Sequence, residues 1–197
     1  MKDNLKKIVL NQFDIFGKKI NIDLSELDKL DNAEELFIKN FKIDNDIFSK
    51  ISKIEKIYKL VFINCIIDGK FEIKNTEGIR FDNCKNIHNC IFGKQIKRLY
   101  VEDCDYIDLK DIENLNLNTF KIKNTLVKSL GKISNMENLE YIYLNEIYIK
   151  EKIDYSIFKK LKVLNLNGSY VDDKEKYLEQ FENCNFSFSF MDENLLI

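Results

Sequence analysis

The stretches Leu139-Glu-Tyr-Ile-Tyr-Leu144 and Leu161-Lys-Val-Leu-Asn-Leu166 decide how this chain folds, because both read L-x-x-L-x-L. Their final leucines occupy positions 144 and 166. In a β-strand, alternate residues point to the same side, so x-L-x-L-x places its leucines on one face and the intervening residues on the other. One such strand cannot bury its apolar face alone. The pattern therefore predicts that several copies stack against each other.

The same alternating motif recurs along the chain, and we call the final apolar residue of each copy the anchor. The anchors are Ile15, Ile38, Phe62, Phe81, Val101, Ile122, Leu144, Leu166 and Phe188. Successive anchors are separated by steps of 23, 24, 19, 20, 21, 22, 22 and 22 along the sequence. Such even spacing predicts a nine-stranded parallel sheet, with one strand per step and a return segment packed behind it.

The return segments are predicted to be of mixed type. Apolar residues at every third position indicate 3₁₀ or extended returns, in the series Leu24, Leu27, Leu30, Ala33, Leu36 and Val127, Leu130, Ile133, Met136, Leu139, Ile142. Apolar residues at helical spacing indicate short helices after Asp46 and Asp173, namely Ile47, Phe48, Ile51, Ile54 and Tyr177, Leu178, Phe181. The two shortest steps, from Phe62 to Phe81 and from Phe81 to Val101, leave room only for tight returns.

From about residue 10 to 190 the pattern resembles the leucine-rich-repeat family. Asn138-Leu-Glu-Tyr-Ile-Tyr-Leu144, with the threefold spacing before it, is similar to the 22-residue repeat class of bacterial internalins. The resemblance implies an α/β solenoid: a horseshoe with a parallel β-sheet on the concave face and mixed 3₁₀, α and extended returns on the convex face. Internalins are exported surface proteins, and their host-receptor role is not carried over, because no leader is recognised here.

We interpret residues 1–197 as a single domain, because the sequence has no proline, only six glycines and no linker-like stretch. About 1–32 would be an N-terminal repeat or cap, 33–183 the repeats, and 184–197 a C-terminal strand and cap.

The 31 basic and 33 acidic residues are interspersed, which argues against a nucleic-acid partner. The first ten residues are too polar for a signal peptide, and no stretch is long enough for a membrane span. Five cysteines favour a reducing compartment, so we expect a cytoplasmic protein and favour a monomer.

Three cysteines, Cys65, Cys84 and Cys104, each occupy the third position after an anchor. The resemblance implies that residues here point inward and satisfy backbone groups where the chain leaves the sheet. Cys84, His88 and Cys90 form C-x₃-H-x-C, but a zinc site needs a second half that is missing, so no metal is predicted. Common nucleophile and cofactor motifs are also missing, so we expect no cofactor, no catalytic residue and no enzyme.

The outward residues of the predicted sheet form the candidate partner-binding site. Outward residues at equivalent positions of successive strands form columns across the predicted sheet. Tyrosine and arginine most often anchor protein interfaces, and the chain's only two arginines fall in these outward columns. The candidates are Arg80, Arg98, Tyr100, Glu102, Lys121, Tyr141 and Tyr143. Read to the last strand, the columns place Ser187 beside Asn165 and Ser189 beside Asn167. The alternative, that these are ordinary strand-favouring residues on a solvated sheet, stays open.

The leading hypothesis is a protein-protein interaction module that binds a macromolecular partner, a protein, on its concave face. The alternative is an immunity or inhibitor protein that neutralises a specific toxin or enzyme. An enzyme that relies on acidic residues is a third and less favoured hypothesis. An immunity role predicts a tight stoichiometric complex, whereas a scaffold predicts weaker or several partners.

Overall fold

The structure is a computed structural model that describes residues 7–13, 18–19, 24–171, 175, 178–181 and 186–189. In these ranges the chain alternates between short strands and tight returns. The strands are β1 Lys7–Asn11, β2 Asn32–Lys39, β3 Lys42–Ile43, β4 Lys56–Ile63, β5 Ile66–Ile67, β6 Phe71–Ile73, β7 Thr76–Asp82, β8 Cys90–Phe92, β9 Arg98–Glu102, β10 Tyr106–Asp108, β11 Thr119–Lys123, β12 Leu126–Lys128, β13 Tyr141–Asn145, β14 Tyr148–Ile149, β15 Val163–Asn165, β16 Tyr170–Val171 and β17 Ser187–Ser189. The α-helix α1 spans Asn45–Lys53, and 3₁₀ turns span Leu24–Lys29, Ile87–Asn89, Leu109–Asp111, Leu130–Asn135, Tyr155–Ile157 and Glu179–Phe181.

Nine of the described strands form one parallel sheet, the main sheet, in the order β1-β2-β4-β7-β9-β11-β13-β15-β17. The chain therefore adds each strand beside the previous one. Two-stranded parallel sheets pair β3 with β5, β6 with β8, β10 with β12 and β14 with β16. A large, mostly parallel sheet with few helices is consistent with an α/β solenoid-like arrangement. No helix in the described ranges is both long and apolar enough to cross a membrane.

The register of the main sheet confirms the central anchors. Each stands opposite the next in the Cα pairing, from Ile38 and Phe62 through to Ile122 and Leu144. They are at most 1% exposed and belong to one continuous apolar core: Ile38, Phe62, Phe81, Val101, Ile122, Leu144 and Leu166. The phenyl rings of Phe62 and Phe81 stack with their centroids 5.4 Å apart. The core therefore runs behind the sheet from strand to strand.

The predictions for the two end strands were wrong. The first described strand is Lys7–Asn11, where Leu10 stands opposite Ile38; the predicted anchor Ile15 lies outside the described residues. At the other end, Phe188 pairs with Leu164 and not with Leu166. Around Phe188 the apolar residues alternate, and a shift of two residues keeps the same side chains on the same face, so the sequence pattern leaves two registers open there. At the other end Ile8, Val9 and Leu10 are consecutive and do not alternate with polar residues, and the predicted anchor lay five residues too far along the chain.

The final outward columns shift with that strand. Ser189 lies opposite Asn165, and Ser187 lies opposite Val163, whereas the prediction placed Ser187 beside Asn165 and Ser189 beside Asn167. The predicted neighbour of Val163, Asn185, lies outside the described residues.

The predicted return types are largely confirmed. The 3₁₀ turns Leu24–Lys29 and Leu130–Asn135 coincide with the threefold apolar spacing. Helix α1 forms as expected, but its cap is Asp44 and not Asp46: an Asp44 carboxylate oxygen accepts from the Asp46 and Ile47 amides at 3.1 Å. Asp46 is already inside the helix. For the second predicted helix, residues 175 and 178 are helical and Glu179–Phe181 form a 3₁₀ turn, while Asp173 and Tyr177 lie outside the described residues.

For the seven anchors from Ile38 to Leu166, the residue two positions later adopts a left-handed backbone conformation, which the sequence analysis did not predict. We call this set the turn column; its φ angles lie between 44° and 69° at Asn40, Asn64, Asn83, Asp103, Asn124, Glu146 and Gly168. Asparagine, aspartate and glycine tolerate this conformation best. Side-chain amides bond from turn to turn: Asn64 Nδ2 donates to Asn40 Oδ1 at 3.0 Å, and Asn83 Nδ2 donates to Asn64 Oδ1 at 2.8 Å. The recurrence of Asn or Asp at this position was the available sequence signal.

The position after the turn column holds buried groups that bond to the backbone, as the sequence analysis predicted for the cysteines. Cys65, Cys84 and Cys104 are at most 7% exposed. The Cys65 thiol lies 3.3 Å from the carbonyl oxygens of Ile38 and Ile63. In later turns hydroxyl groups occupy the same position, at Thr125 and Ser169. These groups close the turns where the chain leaves the main sheet.

Candidate functional site

The main sheet brings the predicted site residues together on one surface. Arg80 stands opposite Tyr100, Tyr100 opposite Lys121, and Lys121 opposite Tyr143 in four consecutive strands. The outward residues of the main sheet point away from the core, and we call this surface the open face. All seven candidates lie on it: Arg80, Arg98, Tyr100, Glu102, Lys121, Tyr141 and Tyr143.

An ion-pair network fixes the middle of the open face. The Arg80 Nη2 group donates to Glu102 Oε2 and to Asp82 Oδ2, each at 3.0 Å. Lys121 Nζ lies 2.6 Å from Glu102 Oε1. The Glu102 side chain is only 12% exposed. Glu102 therefore holds two cations in place and offers little surface of its own.

One depression in the open face lies over a glycine, and we call it the Gly78 hollow. It has a volume of about 260 Å³ and is lined by Lys59, Gly78, Arg80, Arg98 and Tyr100. A Cβ atom at Gly78 would lie 3.4 Å from Arg98 Nε. The Arg98 side chain therefore lies across the space that any other residue at position 78 would fill.

The second depression, the tyrosine hollow, is the larger of the two. Its volume is about 480 Å³, and it is lined by Tyr100, Thr119, Lys121, Tyr141, Tyr143, Asn145 and Asn165. Tyr100 lines both depressions. The two hollows are thus neighbours on the open face, separated by one aromatic side chain.

The open face carries more positive charge than the chain as a whole. Its described outward positions hold seven cations and three carboxylates, whereas the whole chain has a net charge of −2. The cations are Lys7, Lys39, Lys59, Arg80, Arg98, Lys121 and Lys123, and the carboxylates are Glu35, Asp82 and Glu102. Three of these lysines surround the Phe37 ring, with Nζ atoms 4.6 to 5.8 Å from its centroid. The surface is therefore electrostatically suited to an acidic partner.

Lys59 and Gly78 were not among the predicted site residues, although both are in the outward columns. A glycine inside a strand often marks a close approach of another group, and this was the signal available at Gly78. Lys59 enters the hollow because it stands opposite Gly78 in the register. Its Nζ also pairs with Glu35 Oε1 at 2.8 Å, and this hydrogen bond holds the pKa of Glu35 below its usual value.

A separate row of apolar and aromatic side chains that are at least partly exposed follows the turns, outside the open face. We call it the flank row; it consists of Tyr106, Leu126, Tyr148 and Tyr170. Leu126 is 62% exposed, and Tyr148 and Tyr170 are each 45% exposed with ring centroids 5.0 Å apart. The sequence analysis did not single out this row. It is a second exposed surface on which a partner could bind.

The cysteine and histidine side chains of the C-x₃-H-x-C stretch do not converge. Cys84 and Cys90 are buried, while His88 is exposed and stacks on the Tyr106 ring with centroids 4.6 Å apart. Among the described residues, no group of three His, Cys, Asp or Glu side chains is arranged to hold a metal ion. The hydrogen bond to Cys84 and burial raise the pKa of Cys65 and of Cys104, and burial raises the pKa of Cys90 to about 12.

Comparison with known proteins adds no relative. No protein-family model matches the sequence, and no curated protein matches it. Interpretation of the open face therefore depends on its own geometry and chemistry.

Proposed function

We propose that this chain is a leucine-rich-repeat protein that binds a protein partner on its open face and is not an enzyme. The observation that carries the proposal is the meeting of the two hollows at Tyr100. Together they are lined by three tyrosines and both arginines of the chain, in register across neighbouring strands. Rigid aromatic and arginine side chains packed at the centre of a surface are the usual makeup of an interface hot spot.

The repeat-family part of the proposal has its own support. The chain adds one parallel strand per turn, the seven turns from Asn40 to Gly168 each pass through a left-handed residue, and a buried thiol or hydroxyl closes most of them. These features recur at the spacing that suggested the family. Four described cysteines are free and buried, which fits the proposed cytoplasmic location.

A binding role is favoured over catalysis because the acidic groups of the open face are already engaged. Glu102 and Asp82 accept from Arg80, and Glu35 accepts from Lys59. Carboxylates tied to neighbouring cations are poor proton donors and acceptors at neutral pH. The described residues that line the two hollows also include no aspartate, glutamate, histidine or cysteine, the side chains that most often act as nucleophiles or general acids and bases.

The decisive experiment compares capture of partners from an extract of the native organism by three immobilised baits. These are the wild type, the double variant Tyr100→Ala/Tyr143→Ala, and the flank-row variant Tyr148→Ala. We expect the double variant to lose about 2 kcal/mol or more of binding free energy for the partner, with an unchanged melting temperature. The Tyr148→Ala bait should retain the partner.

Three results would contradict the proposal. Capture that survives the double substitution but is lost in Tyr148→Ala would move the site to the flank row. Loss of binding when exposed residues of the return segments are replaced, such as Lys152 or Glu179, would place the site on the returns and not on the open face. Capture that disappears after nuclease treatment would identify a nucleic acid as the bound species.

A further inference from the structure

We propose that the Gly78 hollow binds one carboxylate of an aspartate or glutamate side chain on the partner. This inference rests on the proposed binding role of the open face and specifies the chemistry of one contact. It is supported by the unused hydrogen-bond donors of Arg80 and Arg98, by the residues that line the hollow and by the pairing of the charges around it.

Arg98 is an exposed guanidinium with no hydrogen bond or ion pair to any described residue. Its side chain lies over Gly78, with Nε 3.4 Å and Nη2 3.6 Å from the position of a missing Cβ. Glu77 lies nearby, but its carboxylate pairs with Lys56 Nζ at 2.8 Å. A planar guanidinium held against a strand, with its donors unused, is prepared to bind a carboxylate through two parallel hydrogen bonds.

Arg80 contributes a second unused donor. Its Nη2 group bonds to Asp82 and Glu102, while its Nε is buried and has no acceptor among the described residues. A buried donor without an acceptor is unfavourable, and a water, an ion or another bound group can supply the missing acceptor. An oxyanion in the adjacent hollow would supply that acceptor after a small rotation of the side chain.

The described walls of the hollow contain cations, a glycine and a tyrosine, and no carboxylate. Of the three cations in these walls, Lys59 is paired with Glu35 and Arg80 with Asp82 and Glu102. Arg98 therefore remains without an ion pair among the described residues. One such guanidinium matches a singly charged carboxylate better than a phosphate group, which carries about −1.5 to −2 at neutral pH.

The chain offers a direct readout, because Arg80 and Arg98 are its only arginines and both line the hollow. Their two side-chain Nε–H signals are therefore well separated reporters in an ¹⁵N–¹H correlation spectrum of the full chain. The probe is acetyl-glutamate amide, titrated at constant ionic strength, with acetyl-glutamine amide as its neutral control and inorganic phosphate as the alternative anion.

We expect the glutamate probe to shift both arginine signals saturably and the glutamine probe to leave them in place. Arg98→Gln should weaken binding of the glutamate probe by roughly tenfold, read from the remaining Arg80 signal, because charged hydrogen bonds are lost. Lys123→Gln is the matched control, since it removes one positive charge from the open face outside the hollow. Gly78→Val keeps every charge and fills the hollow, and it should weaken binding to a similar extent.

Several results would overturn the assignment. The assignment is wrong if the glutamate probe leaves the arginine signals in place. It is also wrong if Lys123→Gln weakens binding as much as Arg98→Gln, because that would indicate only diffuse electrostatic attraction to the open face. Saturation by phosphate at lower concentration than by the glutamate probe would assign the hollow to phosphate groups. These outcomes leave the partner-capture experiment unaffected, and loss of the tyrosine dependence in that experiment would leave a measured glutamate site in place.

Discussion

Tyr143 and Leu144 are neighbours in the chain, yet they belong to opposite sides of the main sheet. Leu144 is fully buried with the other anchors, whereas Tyr143 is half-buried and lines the tyrosine hollow. The buried side repeats nearly the same apolar shape in each strand, because only such shapes stack into a continuous core. The open face changes its chemistry from strand to strand. Stability is therefore concentrated on one side of the strands, and any recognition of a particular partner on the other.

The largest effect should come from the buried side. We expect Leu144→Ala to lower the free energy of unfolding by about 2 to 5 kcal/mol, because the substitution removes buried methyl groups and leaves a cavity between two neighbouring strands. Tyr143→Ala on the same strand should change it by much less. Urea unfolding of both variants measures the contrast. A loss from Leu144→Ala no larger than that from Tyr143→Ala would show that the two sides of the sheet do not differ in this way.

The next effect concerns the turns that join the two sides. The Ser169 hydroxyl accepts from the Ile147 amide at 3.1 Å and donates to the Leu144 carbonyl at 2.6 Å. Ser169→Ala should lower the free energy of unfolding by about 1 to 3 kcal/mol, because both backbone groups lose a buried partner. Ser187→Ala, at an exposed position of the open face, is the control. Equal and small losses in both variants would mean that water replaces the Ser169 hydroxyl.

A gain of stability is expected at the one turn-column position that suits its residue poorly. Glu146 has a φ of 54°, a conformation that a long side chain rarely adopts. Its ion pair with Lys123, 3.2 Å long and largely exposed, contributes little. Glu146→Asn should therefore raise the free energy of unfolding by about 0.5 to 1 kcal/mol. Thermal unfolding tests this, with Glu137→Asn, at an exposed position without a positive φ, as the control. A lower melting temperature for Glu146→Asn would show that the ion pair outweighs the backbone strain.

The smallest effect is a dependence on acid. Hydrogen bonds from Lys59 and Lys56 lower the pKa values of Glu35 and Glu77, so these carboxylates bind protons less readily in the folded chain than in the unfolded chain. Their contribution to stability is complete above the ordinary glutamate pKa of about 4.3 and is lost as the pH falls through the lowered values. Urea unfolding between pH 7 and about 3 should show a shallower loss for Glu35→Gln/Glu77→Gln than for the wild type. Parallel curves would exclude the two ion pairs as a source of acid sensitivity.

The central part of the fold could be predicted because each strand repeats the same apolar spacing. From Ile38 to Leu166 the anchors fall in one core, and the outward columns align as expected for four consecutive strands of the candidate site. The end strands could not be predicted to the residue. Among the described residues, the strands of Leu10 and Phe188 each have a neighbour on one side only, so fewer contacts fix their register.

The details of the site depend on relations between strands that a single motif does not encode. Arg98 and Gly78 lie on different strands, and the hollow between them exists only because the register makes them partners. Glu102 was predicted as a partner contact, but its carboxylate is occupied by Arg80 and Lys121. Val61 stands at an outward position of its strand, between Phe37 and Arg80 in the register, and is nevertheless only 1% exposed. Long neighbouring side chains decide such burial, and their rotamers cannot be read from the sequence.

The turn column has a consequence for how this chain can change in length during evolution. Its asparagine and aspartate members bond to the turn before or after them, as Asn64 does to Asn40 and to Asn83. A duplication or deletion of one complete unit therefore re-forms the same junction wherever two such turns meet. The hollows have no such freedom, because a unit inserted between the strands of Gly78 and Arg98 would separate their two walls. If the hollows bind a partner as proposed, the segment from Lys59 to Asn165 would have to stay intact, whereas whole units could be gained or lost towards either end of the sheet.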